Sequence, residues 1–219
     1  MPRQKINTEV EEETMREIKS ESSYRQSLRG RVLDVAMHAF ATNGIHAVRM
    51  DDIARKMGIS KRTLYELYDN KEKLLLEGVK LFKAKHDEEE MRIVEECPNV
   101  MEIMLKLSRN KIEEFRLTSP QFYSDLTKYP TVLSYLSQDS QQAHSRFIKF
   151  LERGVKEGYF RSDVDLELVA QLFRALTDYI MSHELFRQYL MEQIFHDFVF
   201  LTMRGLCTPE GVKVLDRFV

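Results

Sequence analysis

The chain has 219 residues, of which 43% are hydrophobic and 31% are charged, and its formal net charge is −2. This composition fits a soluble globular protein, and the 8 glycines and 5 prolines leave few obligatory breaks, which favours helices. No apolar run approaches the roughly 18 residues of a membrane span, and the first 23 residues are too charged for a signal peptide. We therefore expect a cytoplasmic protein with no membrane partner.

The charges are unevenly distributed along the chain. Residues 24–73 carry ten Lys or Arg against six Asp or Glu, a net +4, whereas residues 74–219 carry 19 against 23, a net −4. A basic segment followed by an acidic body is typical of a DNA-binding region attached to a second domain.

No pattern in the sequence predicts catalysis or metal binding. Cys97 and Cys207 are 110 positions apart and have no companions at metal-ligand spacing, so neither a disulfide framework nor a zinc site is predicted. The GxSxG and HExxH motifs and a phosphate-binding glycine loop are missing from the sequence. We expect no catalytic residue, no metal and no cofactor.

The first predicted elements are a polar arm and a helix. We expect residues 1–23 to form a charged arm that is either frayed or disordered, or helical from Thr8, and in which Glu11, Glu12 and Glu13 are consecutive. Apolar residues at three- and four-residue spacings then predict a helix over residues 27–42. Asn43 and Gly44 supply a left-handed stop for that helix.

Two short helices separated by a glycine turn are predicted over residues 50–68, MDDIARKMGISKRTLYELY. Asp51 and Asp52 lie in the first turn of the first helix, where the helix dipole favours negative charge. Gly58 can adopt positive φ, and Ser60 is placed to cap the next helix, Lys61 to about Tyr68. The pattern predicts a helix-turn-helix.

The rest of the chain keeps a helical pattern. Asp69 with Glu72 resembles a capping box for a helix from about Asn70 to Glu96, which ends before Pro98. The later predicted helices cover residues 100–117, 120–128, 130–157, 163 or 165 to 186, and 189–206. Strand-like alternation is missing from the sequence, so the predicted fold class is all-α.

The segment from Ala36 to Leu75 resembles the DNA-binding domain of TetR-family transcriptional regulators. The residues that carry the resemblance are Phe40, Gly44, Met50, Asp52-Ile53-Ala54, Gly58-Ile59-Ser60, Thr63-Leu64-Tyr65, Tyr68 and Lys71-Glu72-Lys73-Leu74. The resemblance implies a helix-turn-helix domain at 24–70, a helical ligand-binding and dimerisation domain at 71–219, and a homodimer. The chain departs from the family pattern at Val48-Arg49, where Thr or Ser is usual, at Arg62, where Gly or Ala is usual, and at Leu67.

A helix that enters the major groove reads base edges with its N-terminal residues. Lys61 and Arg62 have the chemistry to contact guanine, and Thr63 can contact a thymine methyl group or a phosphate. The resemblance assigns phosphate contacts to Tyr65 and Lys71, and Arg49 is a further candidate. The predicted site on double-stranded DNA consists of Arg49, Ser60, Lys61, Arg62, Thr63, Tyr65 and Lys71.

The last two predicted helices are apolar around more of their circumference than packing within one subunit requires. The resemblance implies that this surplus forms a four-helix interface between two copies of the chain. The predicted interface residues are Leu172, Leu176, Ile180, Phe195 and Phe198.

A set of apolar and aromatic residues in the body is a candidate effector pocket. Its members are Met104, Phe115, Tyr123, Phe147 and Phe173. The leading hypothesis is a repressor that a small apolar or aromatic effector releases from a pseudo-palindromic operator. The alternatives are a DNA-binding regulator whose body binds another protein, or one that senses oxidation of a thiol.

Overall fold

The structure is a computed structural model that describes the backbone of residues 3–138 and 140–217 and the side chains of residues 23–138 and 142–217. Over those residues the fold is helical without a strand, and the prediction of an all-α protein is confirmed. Phe160 and Cys207 form an isolated antiparallel bridge between two loops. None of the described helices is both long enough and apolar enough to cross a bilayer.

The chain divides into two compact units. Unit 1 contains the described residues up to His38 together with residues 49–78, and unit 2 contains residues 39–48 together with the described residues from Val79 onward. The division falls after Gly78, eight positions beyond the boundary predicted at Asn70, and the segment 39–48 packs with unit 2.

The first four helices lie wholly or partly in unit 1. They are α1, Arg3–Asn43; α2, Met50–Met57; α3, Lys61–Leu67; and α4, Lys71–Glu96. Helix α1 begins at Arg3 and so includes backbone of the predicted arm, residues 1–23, whose side chains lie outside the described residues up to position 22. The helix starts earlier than the predicted Ser27, since neither proline nor glycine interrupts residues 3–29.

The core of unit 1 fixes the directions of α2 and α3. Val32 of α1, Ile53 of α2 and Leu64 of α3 are each at most 1% exposed, and Tyr68 and Leu74 are buried with them. The apolar stripe of each helix therefore faces inward, which leaves the polar face of the short helix α3 exposed to solvent.

The remaining helices belong to unit 2. They are α5, Val100–Leu117; α6, Pro120–Leu126; α7, Pro130–Gln138; α8, Ser140–Lys156; α9, Leu166–Ser182; α10, Met191–Leu206; and α11, Pro209–Leu215, with a 3-10 turn at Leu185–Arg187. The helix predicted over 130–157 is described as α7 and α8, which flank residue 139, a position outside the described residues. Among the residues of the core are Val100, Met101, Leu151, Phe160 and Met203.

Helix α11 was missed by the sequence analysis, which ended the last helix at Leu206. The hydroxyl of Thr208 accepts a hydrogen bond from the Gly211 N–H at 3.2 Å, and Pro209 occupies the first turn. A cap followed by proline is a recognised start signal for a helix. Gly211 is required there because a Cβ atom would lie 2.3 Å from the carbonyl oxygen of Tyr159.

Candidate nucleic-acid interface

The turn between α2 and α3 is built as the sequence predicts. Gly58 has φ of 66°, and its N–H donates to the carbonyl of Arg55 at 3.1 Å. The Ser60 hydroxyl accepts from the Thr63 N–H at 3.0 Å and lies 2.8 Å from the Thr63 hydroxyl. The cap satisfies a backbone donor in the first turn of α3 and fixes where this helix starts.

Two cations lie exposed at the start of α3, and each has an acidic partner. Lys61 pairs with Asp51, and Arg62 donates from Nε to a carboxylate oxygen of Glu66 at 2.8 Å. The Glu66 hydrogen bond raises the pKa of Arg62, whose side chain is 88% exposed. Exposed ion pairs contribute little to stability, so both cations can exchange these partners for a nucleic acid at small cost.

Three of the other predicted contact residues also belong to unit 1. Tyr65 is 47% exposed on α3. Arg49 is exposed at the residue before α2, where its N–H donates to the Asp52 carboxylate at 3.1 Å. Lys71 is the first residue of α4 and is half-buried.

The cap of α4 differs from the predicted capping box. The side-chain oxygen of Asn70, not that of Asp69, accepts from the N–H of Lys73 at 2.8 Å. Asp69 instead accepts from the Lys73 ammonium at 2.8 Å, and that hydrogen bond lowers the pKa of Asp69. The prediction was wrong by one residue because either side chain can cap a helix, and the backbone of the preceding turn decides which one does.

Arg29 is a positioning residue that the sequence analysis missed. Its guanidinium donates to the carbonyl of Leu67 at 2.8 Å and lies 4.6 Å from the ring centroid of Tyr68. The Tyr68 hydroxyl donates to the Arg29 carbonyl at 3.1 Å, and burial raises the pKa of that hydroxyl. These contacts hold the C-terminal end of α3 against α1. No local pattern marks Arg29, because its partners are 38 and 39 positions away.

The predicted pocket residues are divided between separate parts of unit 2. Phe115 lines a cavity of about 380 Å³ and packs edge to face against Tyr123 and Phe195 at 6.2 and 5.5 Å between ring centroids. Met104 lines a second cavity of about 100 Å³. Phe147 and Phe173 pack together within an aromatic cluster, with 4.9 Å between their ring centroids. The five residues therefore do not surround one space.

The predicted interface residues are also divided. Leu172 and Leu176 are 54% and 44% exposed on α9, in one stripe with Leu168 and Tyr179, which are 54% and 51% exposed. Ile180 is half-buried in the same helix. On α10, Phe195 and Phe198 are half-buried and pack inward, Phe195 on Phe115 and Phe198 on Phe173.

The two cysteines are buried, at 4% exposure for Cys97 and 7% for Cys207. Burial raises the pKa of Cys207 to about 11. A thiolate is the form that reacts with oxidants, so this environment does not favour oxidation of Cys207.

Comparison with known proteins identifies the class to which this fold and surface belong. Residues 32–77, which include α2 and α3, match the family described as bacterial regulatory proteins, tetR family. The chain is 30% identical over 162 residues to the HTH-type transcriptional repressor KstR2 of Mycobacterium tuberculosis (strain H37Rv), covering 69% of this chain and 78% of that protein.

Solved structures agree with that assignment. The structure of the ketosteroid transcriptional regulator KstR2 of M. tuberculosis is 25% identical, with a TM-score of 0.55 over 82% of this chain and 95% of that one. A transcriptional regulator from Saccharomonospora viridis, solved with choline, shares the fold at 19% identity and a TM-score of 0.64 over 84% of this chain and 99% of that one. The chain belongs to the TetR family and is a DNA-binding transcriptional regulator, which confirms the resemblance found in the sequence.

Proposed function

We propose that the protein is a homodimeric repressor that binds a pseudo-palindromic operator and is released by a small apolar or aromatic effector. The observation that carries the DNA-binding part is the exposed start of α3, where Lys61 and Arg62 stand beside the Ser60 cap. Arg62 suits bidentate contact with guanine, and Lys61 suits a guanine or a phosphate. The KstR2 relative is named a repressor, which supports the same sign of regulation.

Tyr65, Arg49 and Lys71 are assigned to the phosphates on either side of the groove. Such contacts set the position of a protein on the duplex without reading its sequence. Thr63 is assigned to a thymine methyl group or a phosphate. Its N–H and hydroxyl both contact Ser60, so any contact with DNA is made through a side chain that the cap already orients.

The exposed stripe on α9 supports the homodimer. Leu168, Leu172, Leu176 and Tyr179 recur at three- and four-residue spacings and are each at least 44% exposed. A continuous apolar stripe on a helix favours a protein partner over solvent. A second copy of α9 supplies a matching stripe about a two-fold axis. Two copies of α3 held roughly 34 Å apart would then read successive major grooves.

The effector is assigned to unit 2, which contains both described cavities. Their walls are rich in apolar side chains, which supports an apolar ligand. The 25% identical structure is that of a ketosteroid transcriptional regulator, which supports a bulky, largely apolar class of effector. The alternative of a thiol sensor has less support, because both cysteines are buried. An effector that binds the conformation unable to bind DNA more tightly than the DNA-binding conformation shifts the population toward the former.

Footprinting of the purified protein on genomic DNA tests this proposal. The expected result is a protected inverted repeat whose half-sites are separated by one helical turn of DNA, bound by an even number of subunits. Protection of single, unrepeated half-sites by a monomer would contradict the proposal, and so would equal binding of all sequences in dilute salt.

A further inference from the structure

We infer that Arg25 of α1 is a further DNA contact, and that it binds a backbone phosphate at the edge of the groove that α3 enters. This inference rests on the proposed function and adds a contact from a helix that precedes the helix-turn-helix. All of the residues that carry it belong to unit 1. A phosphate contact of this kind sets the position of the protein on the duplex and reads no sequence.

The apolar stripe of α1 sets the direction in which Arg25 points. Leu28, Val32 and Ala36 face the core of unit 1 and are each at most 5% exposed. Arg25 lies three, seven and eleven positions before them, and these helical spacings place all four side chains on one face of α1. Arg25 is nevertheless exposed. The core therefore ends before this position, and the side chain extends past it.

The guanidinium of Arg25 lies beside the C-terminal end of α3. It donates from a terminal nitrogen to the carbonyl of Glu66 at 3.5 Å. The side chain of Glu66 is on the exposed face of α3, where its carboxylate accepts from Arg62 at 2.8 Å. Arg25 therefore borders the same solvent-exposed face of α3 as Arg62, the residue proposed to read a base.

A structural cap on α3 does not account for Arg25. Arg29, one turn later in α1, is half-buried and already donates to the last carbonyl of α3 at 2.8 Å. The 3.5 Å contact of Arg25 is exposed to water and is longer than an ordinary N–H···O hydrogen bond. A guanidinium has five N–H donors, and the described contacts of Arg25 engage one of them. The other donors are available to a ligand.

Arg25 also differs from the cations at the start of α3 in its charge environment. Lys61 and Arg62 each pair with a carboxylate of unit 1. Among the side chains described over residues 23–138 and 142–217, none of the carboxylates forms an ion pair with Arg25. Its charge is therefore not compensated locally, and it can neutralise a phosphate without breaking an ion pair.

The short length of α3 brings its neighbours close to the phosphates. Helix α3 has 7 residues, so it is only about 10 Å long. The major groove is about 12 Å wide and is bounded by the phosphates of both strands. A side chain that flanks the end of so short a helix is therefore near a phosphate, which a guanidinium can bind through two parallel hydrogen bonds. The phosphate assigned to Arg25 is on the side of the groove that faces the C-terminal end of α3.

The test compares the full-length wild type with Arg25→Ala, Arg25→Lys and the control Arg31→Ala. Arg31 is exposed and lies six positions later in α1, on another face of the helix, so its substitution is matched in residue type and in net charge. The probes are the footprinted operator and a scrambled duplex of the same length. Fluorescence anisotropy measures the affinity for both between about 50 and 200 mM salt.

Arg25→Ala should weaken binding to both duplexes by the same factor, about threefold to tenfold at the lowest salt, and reduce the slope of log affinity against log salt by about one unit. Arg25→Lys should keep the wild-type slope, because an ammonium also neutralises one phosphate. Arg31→Ala should keep it as well. The melting temperature of the free protein should be the same in Arg25→Ala as in the wild type, so the loss of binding is not a loss of folding.

Ethylation interference locates the phosphate directly. Ethylation of one phosphate in each half-site of the operator should interfere with the wild type and no longer with Arg25→Ala. The same phosphate should still interfere with Arg31→Ala, because that variant keeps the contact.

The outcomes separate this contact from the proposed function. An unchanged slope in Arg25→Ala would overturn the contact, and a lowered melting temperature with that unchanged slope would make Arg25 a cap of α3. Equal losses of slope in Arg25→Ala and Arg31→Ala would also overturn it, because general charge would then explain the effect. Each of these results leaves the repressor standing. If the wild type protects no site on genomic DNA, the proposed function fails, and the slope on the scrambled duplex still decides the role of Arg25.

Discussion

The guanidinium of Arg29 lies 4.6 Å from the ring centroid of Tyr68 and donates to the carbonyl of Leu67, the last residue of α3. One side chain of α1 thus holds both the final carbonyl of the proposed DNA-reading helix and the ring that follows it. The orientation of α3 within unit 1 depends on a cation that needs no contact with DNA.

Arg29→Ala should destabilise unit 1 by about 2 kcal/mol. The change removes a cation–π contact and a hydrogen bond from a charged donor, so the Leu67 carbonyl no longer accepts from the Arg29 guanidinium. Denaturant unfolding measures the loss, and operator affinity should fall with it. Arg31→Ala, at an exposed residue of the same helix, is the control and should change stability by less than about 0.5 kcal/mol. Equal effects of the two changes would remove the positioning role from Arg29.

Arg62→Ala and Lys71→Ala should affect DNA binding in different ways. Arg62→Ala should change the preference at particular base pairs by roughly 1 to 3 kcal/mol, because it removes a contact to base edges. Lys71→Ala should weaken binding to all sequences alike and reduce the slope of affinity against salt concentration by about one unit. Binding to a set of operator variants at several salt concentrations measures both effects. The assignment is wrong if the two variants behave alike.

Glu66→Gln should tighten DNA binding about threefold to tenfold. The substitution removes the carboxylate that holds Arg62 at 2.8 Å, and it removes a negative charge from the proposed DNA surface. Fluorescence anisotropy with the footprinted operator measures the gain, which should shrink as salt increases. Glu95→Gln, an exposed position of α4 in unit 2, should leave affinity unchanged. A loss of affinity in Glu66→Gln would show that the ion pair orients Arg62 rather than competing with DNA.

The double change Leu172→Asp and Leu176→Asp should convert the proposed homodimer into monomers. Both leucines are exposed in the stripe on α9, so the charges cost little in a monomer but would be buried in a dimer. Analytical ultracentrifugation measures the change, and operator affinity should fall by at least tenfold. Leu136→Asp, at an exposed leucine of α7, should remain dimeric. A dimer that survives the double change would place the interface elsewhere.

Asp125 should make the stability of unit 2 dependent on pH. Among the residues whose side chains are described, Asp125 is the charged residue that is buried, and it is 0% exposed. Burial acts to raise its pKa, but hydrogen bonds from His46, Gln121 and Lys128 outweigh burial and lower it below the ordinary 3.8. The ionised carboxylate therefore adds stability that is fully present above about pH 5 and is lost as the pH falls through 3.8 and below.

Asp125→Asn should remove this pH dependence and cost about 2 kcal/mol at pH 7, because an amide offers one acceptor oxygen in place of two. Urea unfolding at pH 7 and at about pH 3, which lies below the ordinary pKa of 3.8, measures both effects. Asp178→Asn, at an exposed residue of α9, should reproduce the wild-type values. If Asp125→Asn keeps the wild-type loss of stability at low pH, another carboxylate is responsible.

The sequence by itself determined the all-α class, the helix-turn-helix around Gly58 and Ser60, and membership of the family. These features rest on interactions between residues three or four positions apart, such as the Ser60 cap and the apolar stripe through Ile53 and Leu64. Local spacing is visible in a sequence because the α-helix repeats every 3.6 residues. The predicted cap of α4 was displaced by one residue, because the neighbouring side chains of Asp69 and Asn70 could each serve as that cap.

Only the tertiary structure decided which distant residues meet. Arg29 contacts Tyr68 across 39 positions, and Asp125 contacts His46 across 79. It also placed Phe115 and Phe147 in different parts of unit 2, and left Leu172 exposed while Phe195 turned inward. Phe115, Phe147, Leu172 and Phe195 all have the helical spacing of core residues. Which of them packs inside the subunit depends on the neighbouring helices, and the spacing within one helix does not contain that information.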